Sequence, residues 1–220
     1  MDPKYVAQSL SRLAEKDKHC ELFGANVHGY RLNPTLPVRE IEAFEQRHRI
    51  SLPQEYRKFI CQIGNGGAGP YYGLFPFGQH DDGFALGSWE KGHLLGDVSR
   101  PFAYQDSWNL PESFWNEEPH STEDTPSEEE DELWEAWDRR LEAHYWNGSI
   151  MDGAIPICHL GCALRHWLVV NGPCRGEIWE DRRTENNGLS PVLSKDGKRL
   201  TFEMWYKFWL EETLEEYASR

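Results

Sequence analysis

Residues 52–77 read LPQEYRKFICQIGNGGAGPYYGLFPF, and the order of elements in this stretch decides the fold. Pro53 presets a helical φ, and Tyr56, Phe59, Ile60 and Ile63 then recur at helical spacing with one apolar face. Gly64, Gly66, Gly67 and Gly69 follow with Asn65 among them, and Pro70 closes the run. Glycines of this density stop a helix, admit positive φ and let the backbone approach another segment closely. The aromatic-rich run Tyr71–Phe77 then predicts a strand. The unit is helix, glycine turn, strand.

That order excludes a tempting alternative. Gly64, Gly66 and Gly69 satisfy the spacing G-x-G-x-x-G, yet dinucleotide binding needs a strand before the glycines and a helix after them. Here the order is reversed, so the glycines read as a structural turn.

Outward from this unit, Asp2-Pro3 predicts a helix to about Cys20, with Val6, Leu10 and Leu13 on one face. Phe23–Leu32 is weakly strand-like. Pro37 opens a second helix with Ile41 and Phe44 inward. Residues 78–97 predict short strands and turns, and residues 101–115 an irregular cover over the core. Leu133, Trp134, Trp137, Leu141 and Tyr145 predict a helix to about Trp146. Beyond it, AIPIC, LGCALRHWLVV and GEIWED predict three strands of an antiparallel meander, the last two joined at Asn171-Gly172-Pro173. Residues 201–217 close the chain as a helix, with Phe202, Trp205, Phe208, Trp209 and Leu214 toward the core.

The length, 220 residues, suits a single domain with an insertion. No apolar run is long enough to span a membrane, and no signal-peptide pattern follows Met1. Cys20, Cys61, Cys158, Cys162 and Cys174, odd in number, read as reduced thiols of a cytoplasmic protein. Residues 101–138 hold 13 Asp plus Glu and no Lys or Arg. The remaining 37 − 13 = 24 acids face 23 bases, so the net charge of −14 belongs almost wholly to this segment. No general basic surface for nucleic acid results, whereas a basic protein partner is admitted. Within the segment, residues 116–131 (NEEPHSTEDTPSEEED) lack periodicity and bulk apolar residues, and read as a mobile insertion.

Chemistry-bearing clusters are few. Cys158, His159 and Cys162 suggest zinc by residue type, but not by spacing, and strand alternation would turn Cys158 and His159 to opposite faces. Buried apolar cysteine is the simpler reading. Glu177 and Asp181 share a strand face across Trp179, with Arg175, Arg182 and Arg183 near enough to pair with them. An acid/base pair and an arginine-paired edge both remain open. No catalytic, cofactor-binding or metal-ligating residue is assigned.

FGANVHGYRLNP (23–34), FEQRHRISLPQEYRKFICQIGNGGAGPYYGLFPF (44–77), DGAIPICHLGC (152–162), LVVNGPCRGEIWED (168–181) and FEMWYKFWLEE (202–212) together resemble the SUKH superfamily, of the Smi/Knr cell-wall-regulator type. The resemblance implies a single α+β domain, with a twisted, largely antiparallel sheet packed with helices. It makes Leu52, Pro53, Tyr56, Gly66, Gly67, Gly69 and Trp179 fold determinants. It also implies a non-enzymatic protein-binding role: an immunity protein that neutralises a polymorphic toxin, often a nuclease, or alternatively a scaffold in cell-wall or growth control. A small-ligand or metal-dependent enzyme is the reading from another class. For a basic partner, the expected contacts are Glu128, Glu129, Glu130 and Asp131, with Tyr71, Tyr72 and Trp89 as aromatic anchors.

Overall fold

Apolar runs bounded by turn residues between 154 and 191 build the central sheet. In the computed structural model, which describes residues 1–81, 86–88, 95–120 and 128–218, four antiparallel strands lie in sequence order: β3 (Ala154–Gly161), β4 (Leu164–Val169), β5 (Ile178–Asp181) and β6 (Leu189–Pro191). They are numbered after a small separate hairpin, β1 (Gln79–Asp81) with β2 (Leu86–Ser88). Cys162 and Ala163 turn β3 into β4 with φ of 50° and 61°, the paired positive values of a two-residue hairpin. The three-strand meander is as expected; β6 is an addition. Its three residues, ending in a proline, carry too little pattern to be read as a strand.

Side chains alternate across this sheet and separate two cores. Ile155, Ile157, Leu168 and Ile178 face a large cluster with Leu13, Ile41, Phe59, Tyr206 and Leu210. Trp167, Val169 and Trp179 face a smaller one with Phe102, Met151 and Leu189. The large cluster is covered by α1 (Pro3–Lys16), α3 (Val38–His48), α4 (Gln54–Gln62) and α7 (Phe202–Ala218). On the other side, α6 (Glu128–His144) sits on α5 (Glu112–Trp115) through Trp137 against Phe114 and Trp115. Tyr145, just past α6, then reaches Trp108 of the smaller core.

The glycine corner follows α4 as expected, but Tyr71–Phe77 is no strand. Leu74 makes single bridges, to Gly67 on one side and to Cys158 of β3 on the other, and Gly67 in turn bridges Leu32. Pro70, Pro76 and positive φ at Tyr71 and Gly73 break any longer ladder. The path Cys158–Leu74–Gly67–Leu32 extends the sheet edge through isolated contacts. Phe23–Leu32 is likewise not a strand: its centre is one helical turn, α2 (Ala25–His28), bracketed by Gly24 and Gly29 in left-handed conformations.

Two helix boundaries also move. α1 stops at Lys16, because the buried carboxylate of Asp17 accepts the amides of Glu21 (2.7 Å) and Leu22 (3.2 Å) and the hydroxyl of Tyr30 (2.6 Å). α6 starts at Glu128, so Glu128, Glu129, Glu130 and Asp131 form its first turn. Carboxylates there complement the positive end of the helix dipole, which periodicity does not register. Leu133, expected on the apolar face, is 60% exposed. Residues 121–127 of the acidic stretch lie outside the described residues.

Candidate partner-binding groove

α7 is apolar around most of its circumference. Phe202, Trp205, Tyr206 and Leu210 enter the core, leaving Met204 and Phe208 on a neighbouring stripe at i, i+4. Phe208 was expected inside and is 38% exposed. Beside it, the hairpin after β6 presents Leu193, and the segments around α2 and the glycine corner present Phe23 and Tyr71. These side chains rim a groove of about 390 Å³ whose floor includes His28, Leu200, Trp205 and Trp209.

The rim depends on one close approach. A Cβ on Gly24, which has φ +77°, would lie 1.7 Å from the carbonyl oxygen of Tyr71. Glycine is what lets these two backbones touch. Phe23 then packs edge-on against Tyr71 at 6.4 Å and tilted against Tyr72 at 5.1 Å.

Beneath the groove lie two histidines. His28 accepts the amide of Tyr30 on Nδ1 at 3.0 Å and sits edge-on to Trp209 at 5.9 Å. His166 is wedged between Tyr71 (5.3 Å) and Trp205 (5.5 Å), with Glu180 directly across in β5. Burial lowers His28 to about 4 and His166 to about 3, so both are neutral at pH 7. The unfolded chain takes up these protons near pH 6.5 and the folded chain does not. Stability is therefore full above pH 6.5 and falls as pH drops toward the folded values. His166 alone contributes a slope of about 1.4 kcal/mol per pH unit within that window. Denaturant midpoints at pH 7.5, 6 and 5 should show it, and His166→Phe should flatten the profile over that range.

Negative charge gathers at the rim. Burial raises the Tyr71 phenol above its usual range, and the carboxylates of Glu180 and Glu212 push it in the same direction. Glu212 pairs with Lys195 at 2.8 Å and Glu180 with Arg182 at 4.0 Å, both near the surface. Exposed pairs of this kind contribute little to stability. The exposed apolar side chains are expected to matter equally little to the fold: Phe208→Ser and Leu193→Ser should each shift the unfolding free energy by no more than about 1 kcal/mol. Larger losses in urea titrations would mean these side chains hold the structure together.

Of the described residues expected at a partner surface, Tyr71 alone lines this groove. Tyr72 is half-buried against Phe23 and His159. Trp89 lies outside the described residues. Glu128, Glu129, Glu130 and Asp131 belong to α6, on the opposite layer of the sheet, so the acidic turn and the tyrosines form two surfaces instead of one. Phe23, Leu193, Phe208, Trp209 and Glu212 were missed. The signal available was α7 itself, whose apolar residues exceed what one buried face requires.

The other clusters resolve into structural contacts. Gly64, Asn65, Gly67 and Ala68 donate their amides to the carbonyls of Phe59, Asn33, Leu74 and Arg31, so these amides do not point at a ligand. Cys158 is buried, its thiol donating to the carbonyl of Pro70 at 3.1 Å and its pKa raised by burial. Cys162 is exposed on the β3–β4 turn. Among the described residues, no three His, Cys, Asp or Glu side chains come together as a metal site. Glu177 faces Arg199 at 3.2 Å and Asp181 faces Arg183 at 2.7 Å, the arginine-paired arrangement. No helix among the described residues is long and apolar enough to cross a membrane.

A family model described as the SMI1 / KNR4 family (SUKH-1) matches residues 36–194, 159 of the 220. The match runs from just before α3 through β6 and includes Tyr71 and Leu193, while α2 and α7 lie beyond it. No curated protein and no solved structure matches the chain.

Proposed function

Because the chain belongs to the SMI1 / KNR4 family (SUKH-1), we propose that it is a non-enzymatic protein-binding module: an immunity protein that neutralises a toxin by direct binding. The observation that supports this most is the aromatic groove rimmed by Phe23, Tyr71, Leu193 and Phe208, side chains left exposed by the described residues. Aromatic side chains presented at a concave surface are the usual anchors of protein recognition. The 13 acids of residues 101–138 add a field that favours a basic partner, such as a nuclease domain, and speeds encounter.

The test is co-expression with the protein encoded beside this chain. Restored growth, together with a stoichiometric complex of the purified pair, supports immunity. A neighbouring protein that shows no binding by calorimetry overturns it. Steering is separable: neutralising Glu128, Glu129, Glu130 and Asp131 to their amides should slow association at low salt, with little change in the off-rate. An unchanged on-rate removes that role.

A further inference from the structure

The extended sheet edge ends in an open rung. At its outermost bridge, Leu32 to Gly67, the Asn33 amide donates to the Gly66 carbonyl and the Ala68 amide to the Arg31 carbonyl. In that pattern the N–H and C=O of Leu32 itself point away from Gly67, and among the described residues neither has a partner. The flanking positions are closed. The Tyr30 amide is taken by Nδ1 of His28, and Pro34 carries no N–H. Leu32 therefore offers a donor and an acceptor at a fixed register.

Beside this edge lies a depression of about 430 Å³, walled on its other side by α1. Ala7, Ser11, Ala14 and Lys18 stand exposed along that wall. The first three are small, so a second backbone can lie close to the helix. Ala7 to Lys18 is eleven residue steps, about 16 Å of helix axis, which about five extended residues span. Lys18 and Arg31 line the depression, and among the described residues neither forms an ion pair. Asp17 lines it too, but its carboxylate is engaged by the amides of Glu21 and Leu22 and the hydroxyl of Tyr30. Glu15 and Glu21 are exposed nearby in the chain without lining it.

These features select among occupants. Phosphate offers acceptors alone and would leave the Leu32 carbonyl unmet. A second copy paired edge to edge about a two-fold axis would bring Lys18 and Arg31 against their own equivalents. An extended peptide supplies donor and acceptor together, and carboxylates on it complement the two cations.

We propose that the Leu32 edge is a second interaction surface, which takes an acidic extended segment of a partner protein between itself and α1. The segment makes two backbone hydrogen bonds to Leu32 and sets its carboxylates against Lys18 and Arg31. Apart from the buried Tyr30, this lining is separate from that of the α7 groove, and the assignment does not depend on the toxin reading.

The experiment uses the full chain and three synthetic peptides of equal length. One alternates glutamate and threonine, one has lysine in place of glutamate, and one is the glutamate peptide N-methylated along its central backbone. Calorimetry follows binding, and amide hydrogen exchange reads Leu32 directly. Exchange at Leu32 should be fast in the free chain and slow by about tenfold or more with the glutamate peptide. That peptide should bind about tenfold or more tightly than either of the others, since one lacks the complementary charge and the other the backbone donors. Its affinity should fall by a similar factor with Lys18→Glu combined with Arg31→Glu, and with Ala14→Trp, which fills the channel. Phe208→Ser should leave it unchanged. All four positions are exposed, so these variants should keep the wild-type denaturant midpoint; if one does not, the three peptides on the wild-type chain decide. Binding by none of the peptides, unaltered Leu32 exchange, or equal binding of the N-methylated peptide overturns the assignment. Tighter binding of a single-stranded oligonucleotide than of the glutamate peptide overturns it as well, and gives the two cations to phosphate.

Discussion

Replacing Gly67 with alanine should destabilise the fold by about 3–5 kcal/mol, a loss at the upper end for one added methyl group. Gly67 has φ +94°, which costs an L residue about 1–2 kcal/mol by itself. The larger part is steric. Its Cβ would lie 2.4 Å from the carbonyl oxygen of Arg31 and 3.0 Å from both the Asn33 amide nitrogen and the Leu32 Cα. All three are backbone atoms, so no side chain can turn aside. The segment cannot retreat on the other side either, because Gly67 and Leu74 exchange hydrogen bonds of 2.9 and 2.7 Å. Gly197→Ala is the control: that glycine has φ +81° with nothing within 4 Å of an added Cβ, and should lose only the conformational part, about 1–2 kcal/mol. Denaturant titrations with unchanged m-values would give both figures. Equal losses at the two positions would sink the close-approach account.

The same corner shows where the sequence stopped being informative. α3, α4 and the meander β3–β5 were legible because their periodicity or turn signals are local. Leu32, Gly67, Leu74 and Cys158 are joined by single bridges between segments far apart in the chain, and no window around any one of them contains the others. Phe23–Leu32 and Tyr71–Phe77 have strand-like composition yet pair one residue at a time, so their composition misled. The family resemblance held through whole blocks: 44–77, which contains this corner, 152–162 and 168–181 all lie within the matched residues 36–194. The groove was half legible. Tyr71 stood out as an aromatic beside a glycine turn, whereas Phe208 shares a stripe of α7 with Met204, next to the polar row Glu203, Lys207, Glu211 and Glu215, and its apolar spacing alone assigned it to the buried side. The acidic turn at Glu128–Asp131 was legible as charge but not as position, because composition does not say which side of a sheet a helix will cover.

The second large effect lies on that opposite side. Arg183 is 2% exposed and grips Asp181 with two hydrogen bonds, Nε to Oδ1 at 2.9 Å and Nη2 to Oδ2 at 2.7 Å. Its remaining nitrogen, Nη1, donates to the Tyr145 carbonyl at 2.8 Å, and the guanidinium lies 5.3 Å from the Trp146 ring centroid. One side chain thus ties the end of β5 to the residues that follow α6. Arg183→Met should cost about 3–5 kcal/mol, chiefly because it strands the Asp181 carboxylate in a dry site with the Arg183 amide as its remaining donor. Asp181→Leu should cost a similar amount by stranding the guanidinium. The double variant discriminates: with neither charge left to bury, its loss should be well below the sum of the two, a coupling of roughly 2–3 kcal/mol in a double-mutant cycle. Additive losses would show that each residue acts alone, through packing. Because this pair and the α7 groove occupy opposite layers of the sheet, Arg183→Met protein held well below its unfolding midpoint should still bind a groove ligand with wild-type affinity. A matching loss of affinity would show that the two layers are energetically coupled through β4 and β5.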